Sequence, residues 1–417
     1  MHSKNVTAAY GSKAGSERST TAAQPVGGLA AAAETRLVAW LLRQLGNPDI
    51  EVVLWNGTSV CPSRNPVASI RIADRATLWR LMYQPELAFG EAYTDGRIEV
   101  RGDLVALIEN IYRRPEPALA QWLWRPRRPH HNTLAGSHDN IHRHYDLGNE
   151  FFRLWLDDEM LYTCAYYPHP GASLEEAQRA KMEHVCRKVV LRPDERVVEA
   201  GCGWGALALY MARQHGARVR AFNISHEQIL WARDRAAREG LADRVEFIED
   251  DYRNISGRYD VFMSVGMLEH VGPEHYGELG RIIDRCLTEN GRGLIHTIGR
   301  DRPMRLNAWI EKHIFPGGYP PTLGEMRPIF EPFNFSVLDV ENLRLHYART
   351  ALAWFERFER SVDRVAAMCD ERFVRAWRLY LAGTHVAFTT GMLQLFQVAF
   401  ARGGANDIPW TRAHQYA

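Results

Sequence analysis

The chain of 417 residues contains no apolar run approaching the roughly 18–20 residues that a membrane-spanning helix requires, so any membrane contact is expected to be peripheral. Net charge is nearly absent: 51 Lys and Arg stand against 50 Asp and Glu. That balance argues against a nucleic-acid binder acting through bulk electrostatics and leaves room only for a local basic patch. The six cysteines (Cys61, Cys164, Cys186, Cys202, Cys286 and Cys369) form no CxxC pair and read as reduced thiols of a cytosolic protein. The opening stretch, MHSKNVTAAYGSKAGSERSTTAAQPVGG, lacks an apolar core followed by a cleavage site. Its Ser, Thr, Ala and Gly make residues 1–30 a disordered tail by expectation, not a signal peptide. No internal repeat is visible.

What remains is a chain of ordinary globular composition, long enough for two domains. From residue 31 to 114 an apolar-rich helix precedes the alternating strands IEVVLWNG and ASIRIAD and a mixture of helices with a short strand, giving a small α+β domain. Residues 115–141, PEPALAQWLWRPRRPHHNTLAGSHDNI, mix prolines, tryptophans and arginines and read as a linker. From residue 142 to 417 strands and helices alternate: RVVEA before a glycine loop and ALALYMARQHG, RVRAFNIS before HEQILWARDRAAREG, then RVEFIEDD, YDVFMSVGM, EHYGELGRIIDRCL and GRGLIHTIG. This pattern predicts an α/β fold, a doubly wound parallel sheet with helices on both faces.

The loop VVEAGCGWG puts Glu199 at a strand end, then Gly201, Gly203 and Gly205, then a helix. Glycines let backbone approach a ligand closely, but dinucleotide enzymes and plain tight turns use similar loops. Two features favour S-adenosylmethionine: a carboxylate at Glu199 suits the methionine amino group better than a pyrophosphate, and Asp251 and Tyr252 follow the third strand where adenine would sit. The second strand ends in Asn223, a neutral hydrogen-bonding residue where an acid for ribose is usual, with Gln228 beyond it. Tyr162 and Thr163 complete the expected cofactor set.

The stretches HYDLGNEFF, YTCAYY, GCGWG, SVGMLEHVG, LIHTIG, IFPGGYPP, HYARTALAWFERF and QLFQVAFARG run in order through residues 142–403. Together they resemble the cyclopropane-fatty-acyl-phospholipid synthase family, which includes the mycolic acid cyclopropane synthases and has the coclaurine-type N-methyltransferases as relatives. LAFGEAYTDGRIEVRGDL further resembles the small N-terminal domain of its phospholipid-acting members. The resemblance implies a seven-stranded class I methyltransferase fold, S-adenosylmethionine as methylene source, an unsaturated phospholipid acyl chain as acceptor, and a bicarbonate ion as general base. Carried over motif by motif, the bicarbonate-binding and catalytic set is Cys164, Glu269, His296 and Tyr347, with the backbone of Ile298. Some members carry a cysteine where this chain has Thr384, which speaks against a covalent role there. Taken one at a time, Cys164 reads as readily as a small core hydrophobe, His296 as a satisfied core histidine, Glu269 as a helix N-terminal acid and Tyr347 as a packing residue.

Such chemistry explains the crowding of rings around Cys164. Methyl transfer to an alkene leaves a carbocation that water would trap, so the pocket must be dry, and aromatic faces stabilise cation character by about 0.5–2 kcal/mol each. Phe151, Phe152, Trp155, Tyr162, Tyr166 and Tyr167 are the candidate walls. Trp122 and Trp124 beside Arg125, Arg127 and Arg128 read either as a membrane-surface contact or as a solvated linker. The expected setting is the cytoplasm, at the inner face of the membrane, with methyl transfer that stops short of ring closure as the alternative chemistry and a homodimer left open.

Overall fold

Two sheets hold every strand among residues 28–114 and 148–416, the part of the chain that the computed structural model describes. In the first, β1 (Ile50–Val53), β2 (Ser59–Val60), β3 (Ala68–Ile72) and β4 (Ile98–Gly102) take the order β2-β1-β3-β4, with only β1 and β3 parallel. Alternate residues of β1 and β3 are buried, so one face of this sheet packs against helices. Those helices are α1 (Leu29–Gln44), α2 (Arg75–Tyr83), α3 (Pro85–Thr94) and α4 (Leu104–Tyr112). Local chemistry starts them: Asp74 accepts from Thr77 N at 2.8 Å, Pro85 occupies the first turn of α3, and Asp103 accepts from Val105 N at 2.8 Å.

The second sheet is built from β5 (Arg196–Ala200), β6 (Arg218–Asn223), β7 (Val245–Glu249), β8 (Tyr259–Val265), β9 (Leu287–Gly299), β10 (Phe335–Asn342) and β11 (Gln394–Arg402). Its order is β10-β11-β9-β8-β5-β6-β7, parallel from β9 to β7 and antiparallel at β11 and β10. The near-continuous burial of β5 and β8 is what a strand covered on both faces requires. The helices of this part are α5 (Leu174–Lys188), α6 (Ala206–His215), α7 (His226–Arg238), α8 (Tyr276–Cys286), α9 (Ala308–His313), α10 (Arg344–Arg360) and α11 (Glu371–Thr389). Strand order reverses at β5, whose neighbours are β6 on one side and β8 on the other. Doubly wound sheets open a ligand crevice at such a point, beyond the carboxyl ends of the strands.

The N-terminal unit docks through α3 and α4 onto α9 and α11. Trp309 lies so close to Gly90 that a Cβ there would stand 2.2 Å from the indole Cγ. Around it Lys312 pairs with Glu91 at 2.6 Å, Arg372 with Asp95 at 2.8 Å, and the Arg375 guanidinium lies 4.4 Å from the Tyr93 ring centre. Among the described residues no helix is long and apolar enough to cross a membrane. Residues 1–27 of the expected tail, the whole expected linker 115–141 with its tryptophans and arginines, and residues 142–147 lie outside the described residues.

Candidate active site

The glycine loop joins β5 to α6. Gly201 N and Cys202 N donate to Phe222 O at 2.9 and 3.1 Å, which ties the loop to β6. At Gly205 a Cβ would lie 2.6 Å from the Phe247 ring, so only glycine lets β7 pack this close; at Gly203, with φ of +54°, the same position opens onto free space. That space is a cavity lined by Tyr162, Thr163, Lys181, Glu199, Gln228 and Asp251, among others. All ten residues expected to hold the cofactor fall in or beside it: Tyr162, Thr163, Glu199, Gly201, Gly203, Asn223, Gln228, Asp251 and Tyr252 line it, and Gly205 starts the helix behind it.

Several of these side chains are already engaged. Asn223 spends its amide N–H groups on Gly203 O at 3.2 Å and Gln228 Oε1 at 2.7 Å, so the neutral residue at the end of β6 also braces the loop. Asp251 accepts from Arg253 N at 2.9 Å, capping a short turn that presents the Tyr252 ring. Glu199 is different. It is 2% exposed, and its Oε2 has no hydrogen-bond partner among the described residues. Burial pushes its pKa up to about 7, opposed by Lys181. A buried carboxylate oxygen without a partner costs free energy unless a ligand donates to it. The ammonium of S-adenosylmethionine has the right charge and donors. The residues therefore fit that cofactor, and a dinucleotide pyrophosphate does not fit against Glu199.

Behind the cavity lie the five residues of the expected bicarbonate set, and a short series of contacts links them. Ile298 N donates to Glu269 Oε1 at 2.6 Å, so this amide is engaged by the carboxylate. Ile298 faces Leu395 in the β9–β11 register, and Leu343 N donates to Leu395 O at 2.9 Å. Leu343 O in turn accepts from Tyr347 N at 3.1 Å and lies 3.9 Å from Cys164 Sγ. His296 sits two residues before Ile298 on β9, and Gln397 Nε2 stands 3.1 Å from its Nδ1. That donation leaves the neutral ring's proton on Nε2, a buried atom without a partner among the described residues. Glu269 Oε2 is buried and unpartnered likewise. Burial raises the Glu269 pKa to about 7, holds His296 well below its ordinary value and raises the Cys164 thiol. A deprotonated thiolate at Cys164 is accordingly disfavoured.

The aromatic stretch divides. Tyr162 lines the cavity and its hydroxyl meets that of Tyr380 at 2.6 Å. Phe151, Phe152 and Trp155, each fully buried, instead interlock with Trp354 and Trp377 at ring separations of 5.0–6.4 Å. They are core packing, not walls of the cofactor cavity. Tyr166 is stacked between His184 and His346 at 4.2 and 4.9 Å, and Tyr167 lies under Arg349 at 4.3 Å. Thr384 returns its hydroxyl to Tyr380 O at 2.8 Å within α11. Sequence reasoning passed over Lys181, Met267, His270 and Gln397, all of which border this region.

The seven-stranded order with antiparallel β11, the switch-point cavity and the carboxylate over the glycine loop define a class I methyltransferase. Comparison with known proteins takes this further. The model of the mycolic acid cyclopropane synthetase family matches residues 133–398, and that of a domain of unknown function matches residues 37–121. A probable fatty acid methyltransferase of Pseudomonas putida is 33% identical over 88% of this chain and 96% of its own length. The cyclopropane-fatty-acyl-phospholipid synthase of Escherichia coli K12 is 35% identical over 82% and 90%. The structure of mycolic acid cyclopropane synthase CmaA1 complexed with SAH and CTAB superposes with a TM-score of 0.61 at 26% identity, covering 64% of this chain and 98% of that one. The chain belongs to the mycolic acid cyclopropane synthetase family and is an S-adenosylmethionine-dependent enzyme.

Proposed function

We propose that this enzyme adds a methylene group from S-adenosylmethionine across the cis double bond of an unsaturated phospholipid acyl chain, with bound bicarbonate as the base. The observation that carries the reading is the pair of buried, unpartnered atoms Glu269 Oε2 and His296 Nε2, on segments joined through Ile298. An acceptor and a donor left without partners in a dry interior suit a small ligand that both accepts and donates. Bicarbonate does both. It would supply the base that takes a proton from the newly added methyl, so that the ring closes. Toward it His296 would donate from Nε2, Tyr347 from its hydroxyl, Cys164 from its thiol, and Glu269 would accept the ion's own hydrogen. S-adenosylmethionine supplies the electrophilic methyl. Glu199 holds its ammonium end, and exclusion of water by the bound acyl chain and the apolar cavity residues Tyr162, Met267 and Pro316 would protect the cationic chain left after transfer. Holding the alkene in line with that methyl contributes orientation worth up to roughly 7–11 kcal/mol.

The names of the Pseudomonas and Escherichia relatives support a fatty acyl acceptor, and the second supports a phospholipid. The first also supports a second reading, methyl transfer without ring closure. Mass spectrometry of fatty acids from a host expressing the chain separates the two. Gain of one CH₂ with loss of the double bond is expected. Gain of one CH₂ with the unsaturation retained in a branched chain gives the second reading, and unaltered fatty acids overturn both. Peripheral contact with the inner face of the cytoplasmic membrane belongs to the same proposal. Co-sedimentation with anionic liposomes tests it, comparing wild type with Arg125/Arg127/Arg128→Glu, and equal binding refutes a role for these arginines. A homodimer is proposed with it; a monomer mass in light scattering overturns that part.

A further inference from the structure

Lys181 has no part in the chemistry above, yet it is a fully buried lysine facing the cofactor cavity. It stands on α5 one turn beyond Gln178, whose amide donates to Leu161 O and Thr163 O at 3.3 and 2.9 Å. The two residues together clamp the Leu161–Thr163 segment over the glycine loop. The Lys181 ammonium donates to Thr163 Oγ1 at 2.8 Å, its single hydrogen bond among the described residues. An ammonium has three N–H donors, so two stay uncommitted. Such a group is costly to bury unless something anionic completes its shell. Burial brings its pKa down to about 8, while the carboxylates of Asp157 and Glu199 are close enough to favour its charged form. It therefore remains mostly protonated at neutral pH.

The cavity thus holds one cation with idle donors and, at Glu199, one carboxylate with an idle acceptor. The amino-acid end of S-adenosylmethionine carries the opposite pair, an ammonium and a carboxylate on one carbon. We propose that Lys181 is the residue that recognises the α-carboxylate of S-adenosylmethionine, opposite Glu199 at the ammonium. The proposal rests on the assignment of this cavity to S-adenosylmethionine and adds the group that selects an intact amino-acid end over a truncated nucleoside.

Calorimetric titration of wild type and Lys181→Met with S-adenosylmethionine, its decarboxylated form and 5′-methylthioadenosine tests it. Loss of one charge-assisted hydrogen bond should weaken S-adenosylmethionine by about 10- to 100-fold. The other two ligands, which lack the carboxylate, should bind the variant as they bind wild type. Equal losses for all three would reduce Lys181 to a support for the Thr163 segment and overturn the proposal, as would no loss at all. A variant that alters bicarbonate dependence but keeps the carboxylate preference would place Lys181 with the other anion, and would overturn it too. Should Lys181→Met fail to fold, wild type must still prefer S-adenosylmethionine over the decarboxylated form, and Lys181→Arg must keep that preference. Wild type binding all three alike sinks the role of Lys181 alone. Wild type binding none sinks the cavity assignment.

Discussion

Replacing Gly90 by alanine sets two effects of opposite sign against each other. In the interior of a helix such as α3, alanine is favoured over glycine by about 1 kcal/mol. At Gly90, however, the new methyl would lie 2.2, 2.4 and 2.6 Å from Cγ, Cδ1 and Cδ2 of Trp309. Carbon atoms pack at about 3.5 Å or more, so the indole has to retreat by roughly 1.3 Å. Trp309 is 3% exposed, and the obstructing atoms are the rigid base of its ring, not a mobile tip. Overpacking of this kind costs about 1–3 kcal/mol, and rigid atoms at this range argue for the upper end. The expected net result is a loss of about 2 kcal/mol. Gly383, within α11, has nothing within 4 Å of the point where a Cβ would stand, so Gly383→Ala should gain up to about 1 kcal/mol by the same propensity. Urea unfolding of the three proteins, followed by tryptophan fluorescence, measures both signs. Gly90→Ala proving as stable as wild type would refute the seating of the Trp309 ring on Gly90.

Further expectations follow from the buried acids. Glu269→Ala and Tyr347→Phe should each lower turnover by about 100-fold or more while leaving S-adenosylmethionine affinity unchanged, measured by steady-state rates beside calorimetry; equal loss of both would displace these residues to the cofactor. Glu199 must be ionised to hold an ammonium, and burial raises its pKa to about 7. S-adenosylmethionine affinity should therefore climb as pH rises through about 7, and Glu199→Gln should flatten that limb of the profile. Glu269 also titrates near 7 when folded but near 4.5 when unfolded, so between these values the native state binds more protons. Its contribution to stability is present at low pH and is lost as pH rises through about 7. Chemical denaturation should show Glu269→Gln gaining on wild type from about pH 5 to about pH 8, and a constant difference would mean the carboxylate is solvated.

The cofactor half of this molecule was legible because its signals are local. Glu199, the three glycines and the strand before them are contiguous, and their conformational demands are written in residue type: a carboxylate at a strand end and glycines where side chains do not fit. The alternation of RVVEA, RVRAFNIS and RVEFIEDD with apolar-striped helices fixed the parallel sheet in the same way. The aromatic stretch was less legible, since ring content says how much surface is buried and not against what. Phe151 and Trp155 turned toward Trp377 and Trp354, which stand some two hundred residues onward. The residues proposed to hold bicarbonate were reached only through family resemblance. The contacts between them run in part through main-chain bonds of Leu343 and Leu395 and through the β9–β11 register, which do not depend on side-chain identity.

Lys181 marks a different kind of omission, because a signal did exist. Leu174, Gln178, Lys181, Val185 and Lys188 recur at four- and three-residue spacing along α5, and all five are buried. A stripe at that period is normally apolar, and a polar residue in it must find a partner. The chain has only five lysines against forty-six arginines, and two of the five occupy this stripe. Lysine offers a compact, tunable charge where arginine offers a fixed planar fork. The two buried lysines differ in what they meet: Lys188 closes on Glu341 at 2.6 Å, while Lys181 keeps two donors for the cavity. Composition set against helical period therefore flags both cations before any fold is known, and their partners in the fold separate the structural one from the one held for a ligand.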